Sequence, residues 1–141
     1  MKCSVFYTKE PAVLESARGL AWYFLNHIPD DLVAYRYLIF IQRDERDNSA
    51  SAIAACGLLV LSAALSVGAP ERRLFEYAAL HRSASLAQSY TTKTVPESNG
   101  ILLHGVYGKP ENNGVDECAI FGDYFYTELL LCITASWRLY W

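Results

Sequence analysis

The residues best equipped for chemistry gather in three short stretches. Arg46 to Ala50 reads RDNSA, with Asp47 and Ser49 two apart. His104 and Gly105 follow an apolar run and lead into the loop YGKPENNG, which offers Tyr107, Lys109, Asn112 and Asn113. Asp123 and Tyr124 sit within GVDECAIFGDYFYTE, Gly114 to Glu128. Carboxylate, hydroxyl, amide and imidazole groups interleaved with aromatic rings suit hydrogen bonding and stacking against a small polar ligand such as a sugar. Each also has a plainer reading. Asp47 and Ser49 are explained by helix capping, as is Asp123. His104 is the histidine best suited to a polar role, although a satisfied buried histidine is the commoner case. Lys109, Asn112 and Asn113 read as a solvated turn. His27 and His81 read as structural or exposed.

Other chemistries are disfavoured. The cysteines Cys3, Cys56, Cys118 and Cys132 are far apart, with no CxxC pair and no Cys/His cluster at zinc spacing, so they read as buried thiols and no metal is expected. The chain carries 12 basic and 15 acidic residues, a net charge of −3 spread along its length, which gives no footprint for nucleic acid or an anionic membrane. The start, MKCSVFYTKEP, lacks the apolar core and small-residue cleavage site of a secretory signal, so a cytoplasmic location is expected.

These groups need a scaffold, and 141 residues with 52% hydrophobic content are enough for one packed core. From Glu10 to Ile28 the apolar residues Val13, Leu14, Ala17, Leu20, Ala21, Phe24 and Leu25 recur at helical steps, with Pro11 suited to the first turn. Pro29 to Asp47 reads as a long connection around the β-prone AYRYLIFIQ. Asp47 or Asn48 then caps a helix from Ser49 to about Ser66, ended by Gly68 and Pro70. Its segment Ala52 to Val67 is apolar apart from two serines but shorter than the roughly 20 residues of a membrane span, so it predicts a helix buried on all sides.

A third helix is predicted from Glu71 to Tyr90, with Leu74, Ala78, Leu80, Ala84 and Leu86 as its apolar side. Thr91 to Cys118 is dense in Pro, Gly and Asn and reads as irregular backbone with tight turns. Asp123 is expected to cap a last helix, Tyr124 to about Trp137, before the aromatic tail WRLYW. Four helices with long connections, two of them too apolar for the outside of a free bundle, predict a slice of a larger all-helical barrel or solenoid.

Four blocks carry a family resemblance in the right order: YTKEPAVLESARGLAWYFLNHIPDD, RDNSASAIAACGLL, GILLHGVYGKPENNGVDE and AIFGDYFYTELL, with the closing WRLYW. Together they resemble glycoside hydrolase family 88, the unsaturated glucuronyl hydrolases, over nearly the whole chain. The resemblance implies an all-α fold, one partial domain over residues 1–141 that forms the C-terminal portion of an (α/α)6 barrel. It implies action on the unsaturated uronic acid that polysaccharide lyases leave at the non-reducing end of oligosaccharides. In the family an aspartic acid serves as general acid and base, water adds across C4=C5, and the hydrated sugar opens and is released. Protonating a vinyl ether carbon suits one carboxyl whose pKa an apolar pocket has raised, with no metal or organic cofactor.

The family's catalytic aspartate and its neighbour lie upstream of anything matching Tyr7, so the chain is expected to be inactive alone and to represent a truncated member. What remains as candidate substrate-binding residues is Asp47, His104, Tyr107, Lys109, Asn113 and Tyr124. Members that prefer sulfated fragments carry an SxxSxK arrangement where this chain has Gly108, Glu111 and Asn113. A glutamate facing sulfate repels it, so the expected ligand is an unsulfated unsaturated uronyl oligosaccharide. Before RDNSA, a common Trp-Asp-Phe triplet is replaced by Arg36, Tyr37 and Leu38. An alternative from another class is a non-catalytic helical module that binds sugar, or that self-associates through uncovered apolar helix faces. No nucleic-acid or membrane partner is expected.

Overall fold

A computed structural model describes residues 10–38, 45–108, 110–111 and 113–135. Helix α1 spans Pro11–Asn26. Its proline occupies the first turn, where a missing N–H goes unnoticed, and its small residues Ala17 and Ala21 face inward. Helix α2 spans Asn48–Ala64 and α3 spans Pro70–Ser89. A single 3-10 turn covers Thr92–Thr94. Strands β1 (Gly105–Gly108) and β2 (Asn113–Glu117) pair antiparallel, and helix α4 (Ile120–Thr134) follows. The fold is thus mostly helical, as the sequence predicts. Among the described residues no helix is long and apolar enough to cross a membrane.

Helix α2 is the hub. Ala52, Ala55, Cys56, Leu58 and Leu61 are buried along it, and it packs most extensively on α3 and α4. The Cys56 thiol donates to the Phe125 carbonyl at 3.3 Å, which ties α2 to α4. Helices α1 and α3 meet through side chains. Trp22 meets the Phe75 ring edge-on at 5.5 Å, and Arg18 bridges Glu15 on its own helix and Glu71 on α3. The Arg18–Glu71 contact holds Arg18 above its ordinary pKa, and Glu71 lies below the usual carboxylate range through a hydrogen bond with its own backbone and this arginine.

Three expectations need correction. On α3 the buried stripe is Phe75, Ala79, Arg82, Ser83 and Leu86, whereas Leu74 and Leu80 are 49% and 42% exposed. The stripe escapes a hydropathy reading because two of its members are polar. Helix α4 begins at Ile120 with Ala119 as its N-cap, so Asp123 is not a cap but lies within the first turn. The connection 91–118, read as irregular, contains the β-hairpin. A turn lies at Pro110 and Glu111, and a β-bulge falls between Gly105 and Val106. Trp137 and the aromatic tail, Cys3, Lys109 and Asn112 lie outside the described residues. The β-prone AYRYLIFIQ is described only as far as Leu38, where Tyr35 pairs with Arg46 in an isolated antiparallel bridge.

Arg82 is the least expected member of the core. Its side chain is fully buried, its Nε donates to the Leu32 carbonyl at 2.8 Å, and its guanidinium lies 5.0 Å from the Phe24 ring centroid. Among the described residues neither terminal nitrogen has a hydrogen-bond partner. Burial lowers its pKa to about 10. A base whose folded pKa is depressed penalises the folded state below that value and releases the penalty as pH rises above it. Tyr90 and Tyr126, raised by burial, pull the other way, because stability that depends on a neutral phenol is lost as pH climbs through the raised value. The stability of the wild type minus that of Arg82→Met should therefore be flat up to about pH 10 and rise beyond it, measured by urea unfolding at stepped pH.

Candidate functional site at the amino end of helix α2

The first turn of α2 gathers both long connections. The Asp47 carboxylate accepts from the Ala50 N–H at 3.1 Å, the cap that its short acidic side chain predicts, and also from the Ser49 hydroxyl. Ser51 accepts the Ala34 N–H at 2.8 Å and so holds the connection from α1. Asn48 donates from its side chain to the Leu103 carbonyl and from its backbone to the His104 carbonyl, holding the connection from α3. Asp47 and His104, far apart in sequence, are thereby brought to one place.

His104 adopts the left-handed conformation, φ 60°, and so does Asp116 at φ 62° on the bulged strand opposite. For non-glycine residues this costs roughly 1–2 kcal/mol each. The two strained residues are joined, His104 Nδ1 lying 2.5 Å from Asp116 Oδ1. A carboxylate only accepts, so Nδ1 is the donor in this bond. The Tyr90 ring meets His104 edge-on at 5.9 Å, and its hydroxyl donates to Asp31 at 2.9 Å. Burial, and then this bond, raise the Tyr90 pKa. Asp31 pairs with Arg46 at 2.8 Å, and Arg46 covers the Tyr35 ring. A continuous line of polar and aromatic groups thus runs from the hairpin to the first connection.

The other sequence candidates lie along the hairpin and α4. Tyr107 is 67% exposed and parallel to Phe121, their centroids 6.3 Å apart. Tyr124 is exposed on the next turn, edge-on to Phe125 at 5.1 Å. Asn113 is exposed and pairs with Gly108 across the turn. The Glu111 carboxylate folds back until its Oε2 stands 3.0 Å from the position a Cβ on Gly108 would take. His27 bonds the Tyr23 carbonyl at 2.7 Å and His81 lies beside Tyr77, so neither joins the cluster.

Sequence reasoning missed Asp31, Arg46, Tyr90, Asp116 and Phe121. Only the tertiary fold connects them to His104 and Tyr107. Among the described residues no group of three His, Cys, Asp or Glu side chains is placed to hold a metal. The arrangement presents acceptors, hydroxyls and flat rings, a set able to bind a hydroxylated ligand.

Asp123 positions the approach to this cluster. Its Oδ1 accepts the backbone N–H groups of Ile101 at 3.0 Å and Leu102 at 2.9 Å. Leaving those donors without an acceptor costs about 1–3 kcal/mol for the part-buried one. Asp123→Ala should lower stability by about that amount in urea unfolding, and Asp123→Asn, which keeps the acceptor oxygen, should restore most of it.

The geometry has counterparts among known proteins, although no protein-family model matches the chain. It is 39% identical over 137 residues to an unsaturated chondroitin disaccharide hydrolase of Streptococcus pyogenes serotype M1, covering 96% of this chain and 34% of that protein. With an unsaturated glucuronyl hydrolase of Bacillus sp. strain GL1 it shares 35% identity over 137 residues, covering 96% and 36%. The crystal structure of an unsaturated glucuronyl hydrolase from Streptococcus agalactiae superposes with a TM-score of 0.93 at 35% identity, over 99% of this chain and 36% of that one. The Bacillus sp. GL1 structure gives 0.89 at 34% identity, over 94% and 36%. The chain spans about a third of the length of the curated relatives it matches. Over that third, in sequence and in its share of an (α/α)6 barrel, it is a homologue of the unsaturated glucuronyl hydrolases of glycoside hydrolase family 88.

Proposed function

We propose that residues 1–141 form one C-terminal part-domain of a family 88 barrel and line the sugar pocket of a cytoplasmic unsaturated glucuronyl hydrolase. The whole protein would release unsaturated uronic acid from lyase-generated oligosaccharides by adding water across C4=C5. Asp47, His104, Tyr107, Asn113 and Tyr124 would touch the sugar, joined by Lys109. The observation that carries this reading is the His104–Asp116 pair. Two left-handed non-glycine residues bonded to each other beside a helix N-terminus are strain that packing alone does not require.

The catalytic step belongs elsewhere. Protonating the vinyl ether carbon needs a carboxyl held neutral in apolar surroundings. Asp31, Asp47, Asp116 and Asp123 are each committed to a donor of the fold. On this reading the family's catalytic aspartate lies in the portion that these 141 residues do not match, and the chain would bind sugar without turning it over. A solved Streptococcus agalactiae relative, 35% identical, is in complex with dGlcA-GalNAc6S, which supports an unsaturated disaccharide as the ligand class. Here Glu111 beside Gly108, with Asn113 opposite, favours an unsulfated one.

Incubating the chain with an unsulfated unsaturated disaccharide should leave the double bond's ultraviolet absorbance unchanged; robust loss of absorbance would refute the assignment of catalysis to other residues. Titrated by NMR, the same sugar should shift His104 and Tyr107 resonances, and His104→Ala should weaken binding about tenfold, roughly 1.4 kcal/mol. A sulfated disaccharide should bind more weakly until Glu111→Lys reverses the preference.

A further inference from the structure

The first turns of α2 and α4 meet at one end of the molecule. A Cβ at Gly122 would stand 3.6 Å from that of Ser49 and 3.8 Å from that of Leu102, and Asn48 and Asp123 hold the segment 101–103 from the two helices. The hairpin leaves from this junction. Gly105 packs so closely on Ala119 that an added Cβ would come within 2.9 Å of the alanine Cβ. Strand β1 thus runs from His104 out over the first turn of α4.

Three aromatic rings are open where these elements meet. Tyr107 is 67% exposed, and Phe121 and Tyr124, three residues apart and so on one side of α4, are 51% each. The planes of Tyr107 and Phe121 are parallel within 2°, their centroids 6.3 Å apart, toward the wide end of the range for ring pairs. Tyr107 is held from across the hairpin. Gly114, left-handed at φ 58°, lies so near that a Cβ there would come 3.0 Å from the Tyr107 Cβ, and only a glycine lets the tyrosine lie against the opposite strand. Open rings on a fixed frame beside polar groups mark a recognition surface.

A pyranose suits such a surface, because its ring face is apolar C–H and its rim carries hydroxyls. The described charged residues of the hairpin, Glu111, Asp116 and Glu117, are all acidic. The Glu111 Oε2 stands 3.0 Å from where a Cβ would lie on Gly108, the residue after Tyr107. An anionic sugar is repelled there and a neutral one is not. Tyr107 comes three residues after His104, about 10 Å along the chain, which is farther than one sugar ring reaches.

We propose that Tyr107 and Phe121 form a stacking shelf for a neutral hexopyranose that follows the unsaturated disaccharide, with Phe121 the residue that makes the chain prefer longer saccharides. This rests on the sugar-binding reading and adds chain length to it. A second copy of this chain is the competing occupant. Isologous pairing through the shelf would bring the same three carboxylates of each copy together, which disfavours it.

The test is calorimetric titration of the chain with three unsulfated saccharides: the unsaturated disaccharide, and that disaccharide extended at its reducing end by one neutral hexose or by one hexuronate. The neutral extension should bind about tenfold tighter than the disaccharide, and the hexuronate should bring no gain. Phe121→Ala should reduce the ratio of trisaccharide to disaccharide affinity to about one, whereas Phe121→Trp keeps the gain and Glu111→Gln extends it to the hexuronate. Thermal melting checks that folded protein is compared throughout. An affinity that does not rise with the third sugar, or a rise that Phe121→Ala leaves intact, overturns the proposal. So does a dimer, seen by light scattering, that Phe121→Ala disperses. A saturated neutral trisaccharide followed by NMR separates the shelf from the reading beneath it, and should shift the Phe121 and Tyr107 rings. If it does so while the unsaturated disaccharide leaves His104 unmoved, the shelf stands as a sugar site and the hydrolase pocket falls. If the disaccharide shifts His104 and the third sugar adds nothing, the shelf alone falls.

Discussion

Five residues at the start of α2, Asp47 to Ser51, hold the two long connections to the helical core, and most of what is distinctive about the molecule follows from them. Asp47 accepts from Ala50, Ser51 from Ala34, and Asn48 donates to Leu103. Exposed N–H groups at a helix start must be satisfied, and long connections carry polar backbone that must also find partners near the core. One short polar turn meets both needs. With it in place, Tyr35 pairs with Arg46, and His104 arrives beside the hairpin.

Stability is given up at a few positions around that junction. Leu32, His104 and Asp116 are left-handed, and Arg82 is buried with two nitrogens that no described group accepts. These positions are connected rather than scattered. Arg82 bonds the Leu32 carbonyl, Ser85 bonds the Asp31 carbonyl at 2.6 Å, and Asp31 holds Tyr90, whose ring faces His104. Buried arginine and left-handed leucine together fix the turn that aims Asp31. The strain thus supports the line of groups leading to the candidate sugar site, in keeping with the general clustering of strained residues at functional sites.

The two faces of α2 divide the molecule's tasks. Its amino end and the hairpin carry polar and aromatic groups, while its flank toward α1 is an open apolar groove with Gly57 at the centre. The hydrogen bonds that build the polar cluster are internal to residues 31–123 of a chain that spans about a third of its relatives.

By itself the sequence determined the four helices, the cap at Asp47 and the family, because periodicity, capping chemistry and motif order are local properties of the chain. The expected burial of Ala52 to Val67 on all sides fails at Ile53, 40% exposed, and Val67, 84% exposed. The sequence also pointed to His104, Tyr107 and Tyr124. The buried stripe of α3 was misread because Arg82 and Ser83 break the hydrophobic period. The hairpin was hidden in Gly- and Asn-rich sequence, and Asp123 was taken for a cap because a capping residue and a first-turn acceptor look alike in one dimension. Only the tertiary structure decided that His104 bonds Asp116 and that Tyr90, Asp31 and Arg46 stand behind it. Those are contacts between residues 12 to 59 apart, brought together by where α2 and α3 pack, and no local rule encodes them.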